Sequence, residues 1–110
     1  MESWSTAKLR PATRVILEQI ANGKHDPQIR RIVLFGSEAR GEATLTSDID
    51  IALISDEPLT RAQRLAFSVA LDDGYPEVRV INTLTANLDT NEFLNVNYHI
   101  KREGLLIYER

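Results

Sequence analysis

The chain has 110 residues, no cysteine and a formal net charge of −3, and 43% of its residues are apolar while 26% are charged. This composition predicts one globular domain over residues 1–110, and the absence of thiols excludes disulfides, thiolate zinc sites and cysteine nucleophiles. Because the N-terminus lacks a signal-peptide pattern and no apolar run approaches the about 18 residues of a membrane span, we expect a cytoplasmic protein without a membrane partner.

Acidic residues are concentrated in the middle of the chain. Residues 41–60 contain five acids and no base, whereas residues 1–40 contain seven bases and four acids. A general nucleic-acid-binding protein more often carries a basic stripe, so we do not expect direct nucleic-acid binding. Five uncompensated carboxylates in a short window instead require water or cations.

The first half of the chain predicts a helix, a strand and a short helical turn. Apolar residues recur at helical spacing over residues 5–22, with Pro11 early enough for the first turn. The β-branched and aromatic run Ile29–Phe35 predicts a buried strand. Residues 36–41, bracketed by two glycines, predict a short helical turn. The apolar stripe of the first helix comprises Leu9, Val15, Ile16, Leu17 and Ile20.

The second half predicts two further strands and two helices. A strand over residues 48–54 is followed by a helix over 59–71, and the polar run 72–76 reads as a turn rather than as a source of metal ligands. A third strand over 77–83 precedes a helix over 87–102. The apolar residues expected to pack are Leu65, Phe67 and Val69 in the first of these helices and Phe93, Leu94, Tyr98 and Ile100 in the second.

The alternation of helices and strands predicts the fold class. A short apolar tail piece over 105–108 follows the last helix, and no internal repeat is present. We therefore expect an α/β or α+β two-layer domain, with helices packed on a small sheet. An exposed apolar face on the last helix would indicate a homo-oligomer or a docking surface.

Two aspartates separated by one residue form the first candidate site. The strand period of two places Asp48 and Asp50 on one face and Ile49 on the opposite face, toward the core. Like charges this close favour a bound cation, and Mg²⁺ accepts one or two protein carboxylates together with substrate phosphates. An isolated pair of this kind is also common at a solvated strand edge or turn.

A glycine-serine turn forms the second candidate site. Gly36 and Ser37 follow the buried strand and precede Asp48 by ten intervening residues. A glycine allows an anion to approach the backbone, and the serine hydroxyl and nearby N–H groups can bind it. Arg40 lies one turn further on and can reach a phosphate, although a solvated arginine or a simple capped turn would have the same sequence.

These motifs together resemble the minimal nucleotidyltransferase (MNT) family of the DNA polymerase beta superfamily. The resemblance rests on Val33–Gly41, with its Gly-Ser pair, followed after ten residues by the Asp-x-Asp pair within Ser47–Ile54, and on the ending Ile100–Tyr108. It implies a polymerase beta palm-like nucleotidyltransferase fold. It also implies that Asp48 and Asp50 hold Mg²⁺, and that the phosphates of ATP or another nucleoside triphosphate are bound by Gly36, Ser37 and Arg40.

One position departs from the family pattern. The resemblance implies a third carboxylate on the neighbouring strand, where this chain has Arg79 within Val78-Arg79-Val80. Glu77 could replace that acid through a shifted register. Alternatively, Arg79 could bind the triphosphate as a bidentate ligand, or the domain could bind a nucleotide or a protein without catalysis.

The resemblance also implies a biological role. MNT proteins resemble the antitoxins of toxin–antitoxin pairs, in which a helical HEPN toxin is neutralised by binding or by transfer of AMP to a tyrosine. We therefore expect a Mg²⁺-dependent transferase that moves AMP from ATP to a hydroxyl of a partner protein. The alternatives are a degenerate antitoxin that acts by complex formation and a transferase that modifies a small molecule.

Overall fold

The computed structural model describes residues 1–71 and 77–110; the predicted turn at 72–76, with its two aspartates, lies outside the described residues. The described part contains five strands and four α-helices. The strands are β1 (Glu2–Ser3), β2 (Ile29–Phe35), β3 (Ile49–Ser55), β4 (Val78–Leu84) and β5 (Leu105–Glu109), and the helices are α1 (Pro11–Asn22), α2 (Gly36–Ala39), α3 (Arg61–Val69) and α4 (Val96–Glu103).

The strands form one mixed sheet in the order β1-β5-β2-β3-β4. Strand β2 pairs antiparallel with both β3 and β5, whereas β3 and β4 are parallel and are connected through α3. This mixed sheet with helices packed on it confirms the predicted fold class. The predicted tail piece is in fact strand β5, which β2 and β1 flank.

Helices cover both faces of the sheet. Alternate side chains of β2 enter different cores, since Ile32 and Leu34 pack with α1 and α3, whereas Val33 packs with Ile100 of α4. The prediction of two layers is therefore wrong, because α4 supplies a third. The aspartate pair lies on the α4 side, since the neighbouring residue Ile49 belongs to the core on the α1 and α3 side.

The helix predicted over residues 5–22 begins only at Pro11. Residues Trp4–Thr6 form a 3-10 turn, and β1 before it pairs with β5. Proline is favoured at the first helical position because its backbone lacks the N–H that would remain unpaired there. Val15, predicted to lie on the apolar stripe, is 56% exposed.

Two predicted packing residues of α3 also face solvent. Phe67 is buried against the sheet, whereas Leu65 and Val69 are exposed. Each of these lies two positions from Phe67, and such a spacing places side chains on nearly opposite sides of a helix. The helix itself begins after Thr60, whose side chain forms a reciprocal capping box with Gln63.

The predicted helix over 87–102 is shortened to α4. Its N-terminus is capped by Asn95, whose side chain accepts a hydrogen bond from the Asn97 N–H at 2.9 Å. Phe93 and Leu94 therefore precede the helix and are exposed, contrary to the prediction, while Ile100 is fully buried. No helix within residues 1–71 and 77–110 has the length and hydrophobicity needed to cross a bilayer.

Candidate active site

The antiparallel pairing of β2 and β3 brings the two predicted motifs together. Phe35, the last residue of β2, pairs with Asp50 of β3. The Gly36-Ser37 turn that follows β2 therefore lies beside the aspartate pair, although ten residues separate the motifs in sequence. The loop between them runs from Gly41 to Ser47.

Gly36 packs directly against Asp50. Its φ of +77° lies in the left-handed region that favours glycine, and a β-carbon added at this position would overlap the Asp50 carboxylate. The glycine thus satisfies two requirements at once, the sharp turn after β2 and the close approach of the carboxylate. No larger residue fits here without moving Asp50.

Asp48 and Asp50 differ in their exposure. The Asp50 side chain is 23% exposed and that of Asp48 is 39% exposed, while Ile49 between them is fully buried in the core. The Ile49 N–H donates to the Glu77 carbonyl at 2.8 Å, which fixes the start of β3 against the chain leading into β4. Both carboxylates are consequently held at one edge of the sheet.

Burial raises the pKa of the Asp50 carboxyl above its ordinary value. The guanidinium of Arg79 acts in the opposite direction, while the neighbouring charge of Asp48 raises this pKa further and that of Arg40 lowers it. The net shift is upward because water is excluded from the carboxylate. A cation bound here would favour the charged form of Asp50.

Arg79 occupies the strand position opposite Asp50. In the parallel register of β3 and β4, Asp50 pairs with Arg79. The Arg79 Nη1 lies 3.9 Å from the Asp48 Oδ2, and its Nε lies 4.0 Å from the Asp50 Oδ1. These distances are too long for hydrogen bonds, so the attraction is electrostatic. The guanidinium is 67% exposed and can move toward a ligand.

No third acid completes the aspartate pair in the described part of the chain. The residues outside 72–76 contain no group of three His, Asp or Glu side chains that could hold a metal ion. Glu77 is exposed and does not form such a group with Asp48 and Asp50. The register is also regular from Ile49 to Ser55, so the shifted pairing that would bring Glu77 into the site is not observed.

Arg40 lies at the rim of the site and is engaged by two other carboxylates. Its Nε donates to Glu42 at 2.8 Å, and its Nη1 donates to Glu103 of α4 at 3.2 Å. The hydrogen bonds to Glu42 and to Glu103 raise the pKa of Arg40, and the bond to Glu42 has the larger effect. Exposed ion pairs contribute only about 0–1 kcal/mol, so a phosphate can compete for this guanidinium. Its role as a phosphate ligand remains a prediction.

The sequence analysis missed a cluster of three residues near the site. Arg10 and Thr13 of the N-terminal region contact Glu38 of α2, whose side chain is only 1% exposed. Their separations in sequence exceed twenty residues, and arginine and threonine near a helix start are unremarkable in sequence. No local pattern could have revealed this cluster.

The donor set at the edge of the sheet fits a divalent cation. Asp48 and Asp50 present carboxylates on one face, and the Gly36-Ser37 turn lies directly beside them. Mg²⁺ is typically bound by one or two carboxylates together with substrate phosphates and water. Asp48 and Asp50 are thus the residues that would hold Mg²⁺.

Comparisons with known proteins identify the family and the fold. The family described as "Polymerase beta, Nucleotidyltransferase" matches residues 17–110. A Methanocaldococcus jannaschii protein, MJ0604, named as a candidate protein adenylyltransferase, is 33% identical over 88 residues, which is 77% of this chain and 84% of that protein. A crystal structure of a toxin–antitoxin with AMP-PNP shares the fold, with a TM-score of 0.53 and 20% identity over 92% of this chain and 75% of that chain. The chain therefore belongs to the polymerase beta nucleotidyltransferase family.

Proposed function

We propose that this protein is a Mg²⁺-dependent adenylyltransferase that moves AMP from ATP to a hydroxyl of a partner protein. The observation that carries the proposal is the pairing of Phe35 with Asp50, which brings the Gly36-Ser37 turn against two carboxylates on one strand face. This arrangement is the one that a nucleoside triphosphate with its metal requires.

Each site residue has a distinct part in the proposed reaction. Asp48 and Asp50 hold Mg²⁺, which would neutralise charge on the triphosphate. Gly36 and Ser37 bind the β- and γ-phosphates, and Arg40 contacts phosphate after leaving its two carboxylate partners. The exposed guanidinium of Arg79 on β4 adds positive charge on the side of the aspartate pair that faces away from Gly36.

The reaction is an in-line displacement at phosphorus. The acceptor oxygen attacks the α-phosphorus and forms a new P–O bond, while the bond from the α-phosphorus to the bridging oxygen breaks and pyrophosphate leaves. The hydroxyl proton passes to water. The protein contributes mainly positioning and charge stabilisation, since the ligands are fixed at the sheet edge before the substrate arrives.

Two observations support a protein as the acceptor. The relative MJ0604 is named as a candidate protein adenylyltransferase and is matched over most of its length. The structural neighbour is a toxin–antitoxin crystallised with AMP-PNP, an ATP analogue. We propose that the acceptor is a toxin and that this chain acts as its antitoxin; the helical HEPN type of the toxin follows from the resemblance to the MNT family.

The proposal is tested by transfer of radiolabelled AMP. The protein is incubated with α-labelled ATP, Mg²⁺ and the product of the adjacent gene, and the partner is expected to become labelled. The double variant Asp48→Ala/Asp50→Ala should abolish labelling, whereas the matched charge control Asp89→Ala/Glu92→Ala, at exposed positions away from the site, should retain it. Equal labelling by the wild type and the aspartate variant would contradict the proposal.

A second candidate function is neutralisation by binding alone. It is favoured by Arg79, because a guanidinium rather than an acid faces the aspartate pair. In this case the Asp48→Ala/Asp50→Ala protein would still neutralise the partner. Loss of neutralisation by that variant, with binding to the partner retained, would exclude it.

A further inference from the structure

Glu38 is a buried carboxylate that the proposed reaction does not use. Its side chain is 1% exposed, and it belongs to α2, the short helix that begins with Gly36 and Ser37. A buried charge is tolerated only when it is paired and hydrogen-bonded. Glu38 meets this requirement through Arg10, whose Nε donates to its Oε1 at 2.5 Å, and through the hydroxyl of the fully buried Thr13.

The same arginine also holds the loop that leads to Asp48. The Nη1 of Arg10 donates to the Thr44 carbonyl at 2.9 Å, and its Nη2 donates to the Ser47 carbonyl at 2.8 Å. These two residues close a turn of their own, since the Ser47 N–H donates to the Thr44 carbonyl and the Thr44 N–H donates to the Ser47 hydroxyl. Arg10 thus contacts both ends of this turn.

One planar guanidinium therefore joins the two halves of the candidate site. On one side it contacts α2, which carries Gly36 and Ser37, and on the other it contacts Ser47, the residue before Asp48. The loop between these halves has no regular secondary structure of its own. Arginine suits this task because its donors have a fixed planar geometry, which an ammonium group lacks.

We propose that Arg10, with Glu38 and Thr13, is a positioning cluster that sets the spacing between the phosphate-binding turn and the metal-binding aspartates. The proposal rests on the proposed function for its consequence in nucleotide binding. A misplacement of about 1 Å can cost about a hundredfold in the rate of an enzyme, so a contact of this kind matters without touching the substrate.

The test compares Arg10→Gln, at the residue that precedes α1, with a matched control at Arg14 in the first turns of α1. Arg14 also donates to two backbone carbonyls, those of Ser5 and Ala7, but these lie in the N-terminal segment. Amide hydrogen exchange over residues 42–48 is measured without nucleotide, and Mg²⁺-ATP binding is measured by calorimetry. Arg10→Gln should accelerate exchange in the loop and weaken nucleotide binding by about tenfold or more, whereas Arg14→Gln should change neither.

Three further variants separate positioning from general stability. Arg10→Lys keeps the charge but should not restore slow exchange over residues 42–48. An ammonium group cannot reach the Glu38 carboxylate and the Thr44 and Ser47 carbonyls at the same time. In Arg10→Ala, millimolar guanidinium ion should recover nucleotide affinity, while the same concentration of potassium should not. If Arg10→Gln fails to fold because Glu38 is left unpaired, the double variant Arg10→Gln/Glu38→Gln removes both charges and allows the same measurements.

The outcomes distinguish this proposal from the proposed function. Loop exchange at the wild-type rate in Arg10→Gln, or equal effects of Arg10→Gln and Arg14→Gln, would overturn the positioning role. Nucleotide binding that Arg10→Gln leaves unchanged would do the same. Absence of Mg²⁺-ATP binding in the wild type would instead contradict the proposed function, and the exchange measurement would still decide whether Arg10 orders the loop.

Discussion

Gly36 and Asp50 approach each other so closely that no side chain can be accommodated between them. A β-carbon on Gly36 would overlap the carboxylate of Asp50, and the antiparallel pairing of Phe35 with Asp50 enforces this approach. The turn that is expected to bind phosphate and the carboxylate that is expected to bind metal are therefore structurally coupled. A change at Gly36 must alter the position of Asp50.

Gly36→Ala should therefore abolish Mg²⁺-ATP binding. Gly41→Ala is a matched control, since Gly41 has a similar φ of +71° but no atom within 4 Å of the added β-carbon. Gly41→Ala should lose about 1–2 kcal/mol of stability, because left-handed backbone is unfavourable for alanine. Gly36→Ala should lose at least as much, since Asp50 must also move. Calorimetry should show lost binding for Gly36→Ala alone. Equal nucleotide affinity of the two variants would contradict the coupling.

Arg79→Asp tests whether the guanidinium assists or disables the site. Since Arg79 faces both aspartates, its replacement adds an acid at the position opposite Asp50. If the protein is the proposed Mg²⁺-dependent adenylyltransferase, calorimetry should show that the wild type binds ATP tightly in the presence of Mg²⁺ and not in its absence. Absence of binding in wild type that Arg79→Asp restores would instead favour neutralisation by complex formation. Arg64→Asp, at an exposed position on α3, controls for the change in net charge.

Asp50→Asn should stabilise the metal-free protein at neutral pH. The pKa of Asp50 is raised by burial, so the native state binds this proton more tightly than the unfolded state. The contribution of Asp50 to the free energy of unfolding therefore falls as pH rises from about 4 through the raised pKa. At neutral pH the charged Asp50 carboxylate still destabilises the native state by this full amount.

The measurement is urea denaturation of wild type and Asp50→Asn between pH 3 and 7 without Mg²⁺. Asp56 and Asp89, whose pKa values are lowered by hydrogen bonds to Arg30 and Lys101, contribute the opposite slope in both proteins. The difference between the two curves thus isolates Asp50. If the wild type instead became more stable relative to Asp50→Asn as the pH rises, the raised pKa of Asp50 would be contradicted.

Leu94→Ala and Ile100→Ala should differ strongly in their effect on stability. Leu94 is 95% exposed before the start of α4, so its truncation should cost less than about 0.5 kcal/mol. Ile100 is fully buried against Val33, so its truncation should cost about 2–5 kcal/mol. Thermal denaturation measures both. A similar loss of stability in the two variants would contradict the placement of Leu94 in solvent before the start of α4.

Local sequence signals were sufficient where short-range rules dominate. The strands β2 and β3 were predicted within one residue because β-branched runs are bounded by glycine and polar residues. The aspartate pair and the Gly36-Ser37 turn were recognisable for the same reason, since each motif lies within a few residues. The start of α4 was also encoded locally, in the capping residue Asn95, but the apolar Phe93 and Leu94 favoured a longer helix.

Long-range packing decided the remaining features. Strand β5 is too short to be identified alone and exists because β2 offers it a hydrogen-bonding edge. The exposure of Val15, Leu65 and Val69 depends on which helix face meets the sheet.

The sequence by itself determined the two motifs and the fold class, because these follow from local periodicity and turn chemistry. Only the tertiary structure decided that Arg79 faces the aspartates and that Arg10 joins the two halves of the site. These contacts depend on strand register and on approach between segments far apart in the chain, which no local pattern encodes.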